Sequence, residues 1–99
     1  MSALQKAENT GNEPFIQAVK DLEEFKKQQI TISQDDQLKL YGLFKVAINE
    51  QVAKPGMFNL QDGYKYKAWM KVVDEGKSAK EAQDAYVELV KEIKSKTTS

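Results

Sequence analysis

The chain has 99 residues, 40% hydrophobic and 30% charged, a balance that suits a soluble folded domain with material for one core. Its fifteen basic residues, all lysine, match fifteen acidic ones, and zero net charge without arginine argues against a nucleic-acid-binding surface. Cysteine and histidine are both absent, which removes disulfide scaffolds, thiolate chemistry, the commonest metal ligand and every Ser-His triad, and so most hydrolases. No apolar run approaches the roughly 20 residues that span a bilayer, and the start, Met1 to Glu8, has no apolar stretch of signal-peptide type. A cytoplasmic location is the expectation.

In chain order, residues 1–12 are polar, contain Thr10-Gly11-Asn12 and read as a loose N-terminal arm. Residues 13–96 read as a helical domain. Pro14 suits the first position of a helix, along which Phe15, Ala18, Val19, Leu22 and Phe25 recur at intervals of three and four. Ile30-Thr31-Ile32 alternates like a strand but has no partner strand and is read as a link. Ser33 is placed to cap a second helix with Asp35 and Asp36 in its first turn, running to about Asn49 and burying Leu40, Leu43 and Ala47. Pro55-Gly56 marks a turn in the longest internal loop, residues 50–60. A third helix from about Asp62 to Asp74 carries Tyr66, Trp69, Val72 and Val73 on its expected buried side and stops near Gly76. Ser78-Ala79-Lys80-Glu81 is a capping-box signature opening a fourth helix, with a stripe of Ala82, Ala85, Tyr86, Leu89, Val90 and Ile93. The Lys-Thr-Thr-Ser tail reads as frayed. Four helices with no strand predict an all-α four-helix bundle.

The chemistry-bearing residues gather in three segments: Tyr41-Gly42-Leu43-Phe44-Lys45, Lys54-Pro55-Gly56-Met57 and Lys65-Tyr66-Lys67-Ala68-Trp69. On a helix Tyr41, Phe44 and Lys45 share one face. A π face beside an ammonium suits a ligand that joins a planar base to phosphate. Phe15, Leu22, Phe25 and Leu38 supply apolar surface for a groove between helices.

With Ala85-Tyr86 following in the last helix, this set resembles the acyl-CoA-binding protein family, over roughly residues 13–94. The resemblance implies an up-down-down-up bundle and a non-catalytic intracellular carrier of medium- to long-chain acyl-CoA esters, which it buffers and delivers to lipid-metabolising enzymes. It implies roles as well. Tyr41 donates a hydroxyl to phosphate, Lys45 pairs with the 3′-phosphate, Lys65 supplies a second phosphate-binding ammonium, and Tyr86 meets the pantetheine or adenosine side. Phe44 stands where the family usually has tyrosine and keeps a ring for stacking on adenine. Phe15 and Leu38 resemble acyl-groove positions, and Trp69 resembles a core position. Tyr66 replaces the usual tryptophan, and the links 26–37 and 47–54 differ in length from the family's. No resident cofactor or metal is implied, and the expected partner is the ester itself, met by a monomer with at most transient contact to membranes or acyl-CoA-using enzymes. A different reading of the same residues is a small helical module that docks a partner helix, with the aromatic-lysine cluster incidental.

Overall fold

The computed structural model describes residues 2–54, 56 and 60–98. Among them are five helices: α1 (Ala3–Glu8), α2 (Glu13–Lys27), α3 (Gln34–Ala47), α4 (Leu60–Asp74) and α5 (Ala79–Thr98). The described residues contain no strand; Ile30 to Ile32 form a link whose Ile32 side chain is buried. The expected Pro55-Gly56 turn falls at Pro55, outside the described residues, as does Ser99 at the end of the tail. The rest of that tail is not frayed, because α5 continues to Thr98.

Local chemistry accounts for the helix starts. Asn12 caps α2, its side-chain oxygen accepting from the Phe15 N–H at 3.4 Å, and Pro14 follows in the first turn. Ser33 caps α3 by accepting from the Asp36 N–H at 3.2 Å. The capping box opens α5 in both directions: Glu81 N–H donates to Ser78 Oγ at 3.1 Å, and Ser78 N–H donates to Glu81 Oε1 at 3.0 Å. Two helix ends are Schellman motifs with a non-glycine residue in the left-handed region, Gln29 after α2 and Asn49 after α3, both at φ 59°. In the second, Asn49 N–H donates to Val46 O at 3.1 Å and Glu50 N–H donates to Lys45 O at 2.9 Å.

Two expectations need correcting. Residues 1–12 are not simply a loose arm: Ser2 caps α1, which packs on α2 and buries Ala7 completely. Six residues are too few to display a stripe, and an isolated helix of that length is unstable in water, so α1 owes its existence to docking. In α4, the expected buried side is rotated. Val72 is buried, but Tyr66 and Trp69 are only half-buried, their rings 5.8 Å apart, and Val73 is exposed. The stripe that meets α3 runs through Ala68 and Val72.

The helices pack in the spatial order α1, α2, α5, α3, α4, with α5 touching both α2 and α3. The buried stripes of α2 (Phe15, Ala18, Val19), α3 (Leu40, Leu43, Ala47) and α5 (Ala82, Tyr86, Val90, Ile93) form the core. The α3–α4 contact depends on Gly42: a Cβ built there would lie 2.5 Å from the Ala68 carbonyl oxygen. The buried Gln83 of α5 ties two other elements together. Its Nε2 donates to Ala47 O at 3.0 Å, at the end of α3, and its Oε1 accepts from Asn12 Nδ2 at 2.7 Å, at the start of α2. Because α2 and α3 both rest on α5 and do not pack along each other, a gap lies between them.

Candidate functional site

That gap is a cleft of about 470 Å³. Each helix contributes residues at helical spacing. From α2 come Val19, Leu22, Glu23 and Lys26, and from α3 come Gln34, Gln37, Leu38, Tyr41 and Lys45, both sets at intervals of three and four. The second turn of α4 adds Tyr64 and Lys65, and α1 closes one end with Ala3 and Lys6. At the other end Ile32 is held by Gln37, whose Nε2 donates to the Ile32 carbonyl at 2.7 Å.

The cleft has two chemically distinct parts. Val19, Leu22, Ile32, Leu38 and Leu40 form an apolar wall. Around the rim stand Lys6, Lys26, Lys45 and Lys65, with Glu23 the lining carboxylate among the described residues. The Tyr41 ring sits between two of the ammonium groups, with Lys45 Nζ 5.7 Å and Lys65 Nζ 5.5 Å from its centroid. Both distances fall within cation–π range, so α3 and α4 present their lysines around a single ring.

Lys45 is additionally held by Glu50. Glu50 Oε1 accepts from Lys45 Nζ at 2.8 Å, and Glu50 Oε2 pairs with Lys6 Nζ at 2.8 Å. Hydrogen bonds from Lys45 and then Lys6 hold the Glu50 carboxyl down at about 2, against an ordinary value of 4.5. The sign follows directly: a carboxyl with a depressed folded-state pKa contributes stability above 4.5, and loses it as pH falls toward 2. The carboxylate is about one-third exposed, 34%, so solvent screens it, and each pair contributes roughly 0.2–1 kcal/mol. Glu50→Gln is therefore expected to melt slightly below wild type at pH 7, with the difference shrinking below 4.5 and closing near 2. Thermal melts of both proteins across that range check it; a difference that persists unchanged at the acid end would contradict the assignment.

Beneath the rim lies a three-ring cluster. Phe15 and Tyr86 meet edge to face with centroids 5.2 Å apart, and Phe44 stacks at a tilt 5.9 Å from Phe15 and 6.0 Å from Tyr86. Tyr86 is only 2% exposed; burial, and then the Glu23 charge, push its phenol above the ordinary tyrosine range. It stays protonated at any working pH.

The head-group candidates Tyr41, Phe44, Lys45, Lys65 and Tyr86 all line this one cleft, as do Leu22 and Leu38 of the expected groove. Phe15 and Phe25 do not: both are buried in the core behind it. The apolar stripe of α2 is wider than its contact with α5, so its centre goes inward and its edge, Leu22, faces the cleft, with the buried Val19 at the cleft floor. Lys6, Lys26 and Glu50 were not among the sequence candidates. Lys26 is visible in hindsight as one turn beyond Leu22. Glu50 has no such signal, because a separation of five from Lys45 is not a helical spacing.

The acyl-CoA-binding protein family model, described as "Acyl CoA binding protein", matches residues 12–90. The chain belongs to this family. An acyl-CoA-binding domain-containing protein 2 from Oryza sativa subsp. japonica is 49% identical over 65 residues, covering 64% of this chain and 69% of that protein. An acyl-CoA-binding protein from Saccharomyces cerevisiae is 39% identical over 69 residues, covering 68% of this chain and 77% of its own. The crystal structure of Oryza sativa acyl-CoA-binding protein 2 superposes with a TM-score of 0.62 at 40% identity, covering 82% of this chain and 94% of that one. The all-helical architecture is thus the family's, and the lysine-rimmed cleft lies almost wholly within the matched residues; Ala3 and Lys6 fall outside them.

Proposed function

We propose that this chain is a non-catalytic, monomeric carrier that takes up medium- to long-chain acyl-CoA esters in the cytoplasm. It buffers them and passes them to lipid-metabolising enzymes in transient contacts. The observation that carries this reading is the joining of an apolar wall to a lysine rim in one cleft. An acyl-CoA has the same two ends, a nucleotide head with roughly three to four negative charges and a tail whose buried methylenes each contribute about 0.8 kcal/mol. In this reading Lys45 pairs with the 3′-phosphate, Lys65 with a second phosphate, the Tyr41 hydroxyl donates to phosphate, and the adenine rests on Phe44. Tyr86 supports that surface from below together with Phe15, while Phe25 packs in the core further along α2. Leu22 and Leu38 take the tail. The same proposal includes the up-down-down-up course of the four long helices. It is supported by the twelve residues between Ala47 and Leu60, which reach about 40 Å when extended, against about 21 Å for the length of α3.

Isothermal titration with palmitoyl-CoA, bare CoA and palmitate tests the two-ended mechanism. Palmitoyl-CoA is expected to bind far more tightly than either half, and octanoyl-, dodecanoyl- and palmitoyl-CoA to bind with rising affinity. Equal affinity along that series, or palmitate binding as well as its CoA ester, would reject it.

A further inference from the structure

We propose that Lys6 of α1 is a further phosphate-binding residue of this site, held toward the 3′-phosphate beside Lys45 by Glu50 acting as a positioning residue. The inference rests on reading the cleft as an acyl-CoA site. It begins with geometry: one carboxylate receives Lys45 on one oxygen and Lys6 on the other, each at 2.8 Å, and both lysines line the cleft. Two ammonium groups that converge on one small anion also stand within reach of a second anion placed alongside it. An ammonium has three N–H donors, and the bridge uses one from each lysine, leaving the others for a ligand oxygen. A phosphate monoester offers several strong acceptor oxygens and suits shared cationic partners.

Two features make Lys6 more than a passing surface charge. It sits on a helix anchored by the fully buried Ala7, so its starting point is set by packing. The backbone of Glu50 is fixed as well, because its N–H closes the Schellman motif on the Lys45 carbonyl at 2.9 Å. The carboxylate is therefore oriented from α3 while the ammonium arrives from α1. Long flexible lysine side chains lose rotamer freedom on binding a ligand, and a bridge that orders them beforehand lowers that cost. With Glu23 and Glu50 both counted, the four rim lysines still leave the rim of the cleft cationic as a whole.

The test titrates palmitoyl-CoA and 3′-dephospho-palmitoyl-CoA into the full chain as wild type, Lys6→Met, Lys6→Arg and Glu50→Gln. Wild type is expected to favour the phosphorylated ester about tenfold or more. Lys6→Met is expected to weaken that ester about five- to twentyfold and the dephospho ester less than about twofold, with Lys6→Arg restoring most of the loss. Glu50→Gln, which keeps both ammonium groups, is expected to reduce the discrimination as well. Equal effects of Lys6→Met on both esters, or none, would overturn the phosphate contact. Tighter binding of the phosphorylated ester by Glu50→Gln would make Glu50 a competitor and overturn its positioning role. Failure of wild type to bind either ester would instead bring down the carrier reading, a result distinct from the other two.

Discussion

Gly42→Ala is expected to destabilise the protein by about 1–3 kcal/mol, which for a chain of this size corresponds to a melting temperature lower by roughly 4–24 °C. Helix propensity alone predicts the opposite sign, since replacing glycine by alanine inside a helix gains about 1 kcal/mol. The contact decides: the added Cβ would stand 2.5 Å from the Ala68 carbonyl oxygen and 3.2 Å from the Trp69 nitrogen, both backbone atoms that cannot rotate aside. Relief requires α3 and α4 to separate, and that motion carries Lys65 away from the Tyr41 ring it now approaches to 5.5 Å. Ester affinity should fall along with stability. Gly63→Ala on the neighbouring helix is the control, because its Cβ would meet nothing within 4 Å, and it should gain up to about 1 kcal/mol. Paired thermal melts settle the matter: two variants that shift in the same direction would show that the close approach is not what Gly42 is there to permit.

Lys45→Ala is expected to weaken palmitoyl-CoA binding by about 1–3 kcal/mol, a loss of roughly 5- to 150-fold. Stability should change little. The Lys45 side chain is 21% exposed and its pair with Glu50 is screened at the rim, so the stability loss should stay within about 1 kcal/mol. Glu50 also keeps its second partner, Lys6, after the substitution, and no buried charge is abandoned. The split between a large affinity loss and a small melting shift separates a ligand-contacting lysine from a structural one. Titration and melting of the same preparation check it; unchanged affinity would remove Lys45 from the head-group site.

Much of this was legible because it is local. Caps at Ser33 and Ser78 depend on a side chain and a backbone N–H three residues apart, and the stripes of α2, α3 and α5 repeat with the helix itself. Tyr41, Phe44 and Lys45 share a face for the same reason. What misled was a stripe without its neighbour. In α4 the apolar residues Tyr66, Trp69 and Val73 suggest the buried side, yet the helix meets its partner where side chains are smallest, Ala68 against Gly42. In α2 the periodicity identifies Phe15, Leu22 and Phe25 together, while only the position of α5 separates core from cleft wall.

Taken alone, the amino-acid order determined the helical class, the main helix starts, the core stripes and the aromatic-lysine pattern that marks the family, because each arises within a turn or two of chain. Tertiary structure decided which edges of those stripes open onto the cleft, and that α1 exists as a docked helix. It also brought Glu50 between Lys45 and Lys6. A Schellman turn and a helix–helix contact create that last juxtaposition, and neither follows from spacing, since charges distant along a chain meet only when packing has brought their backbones together.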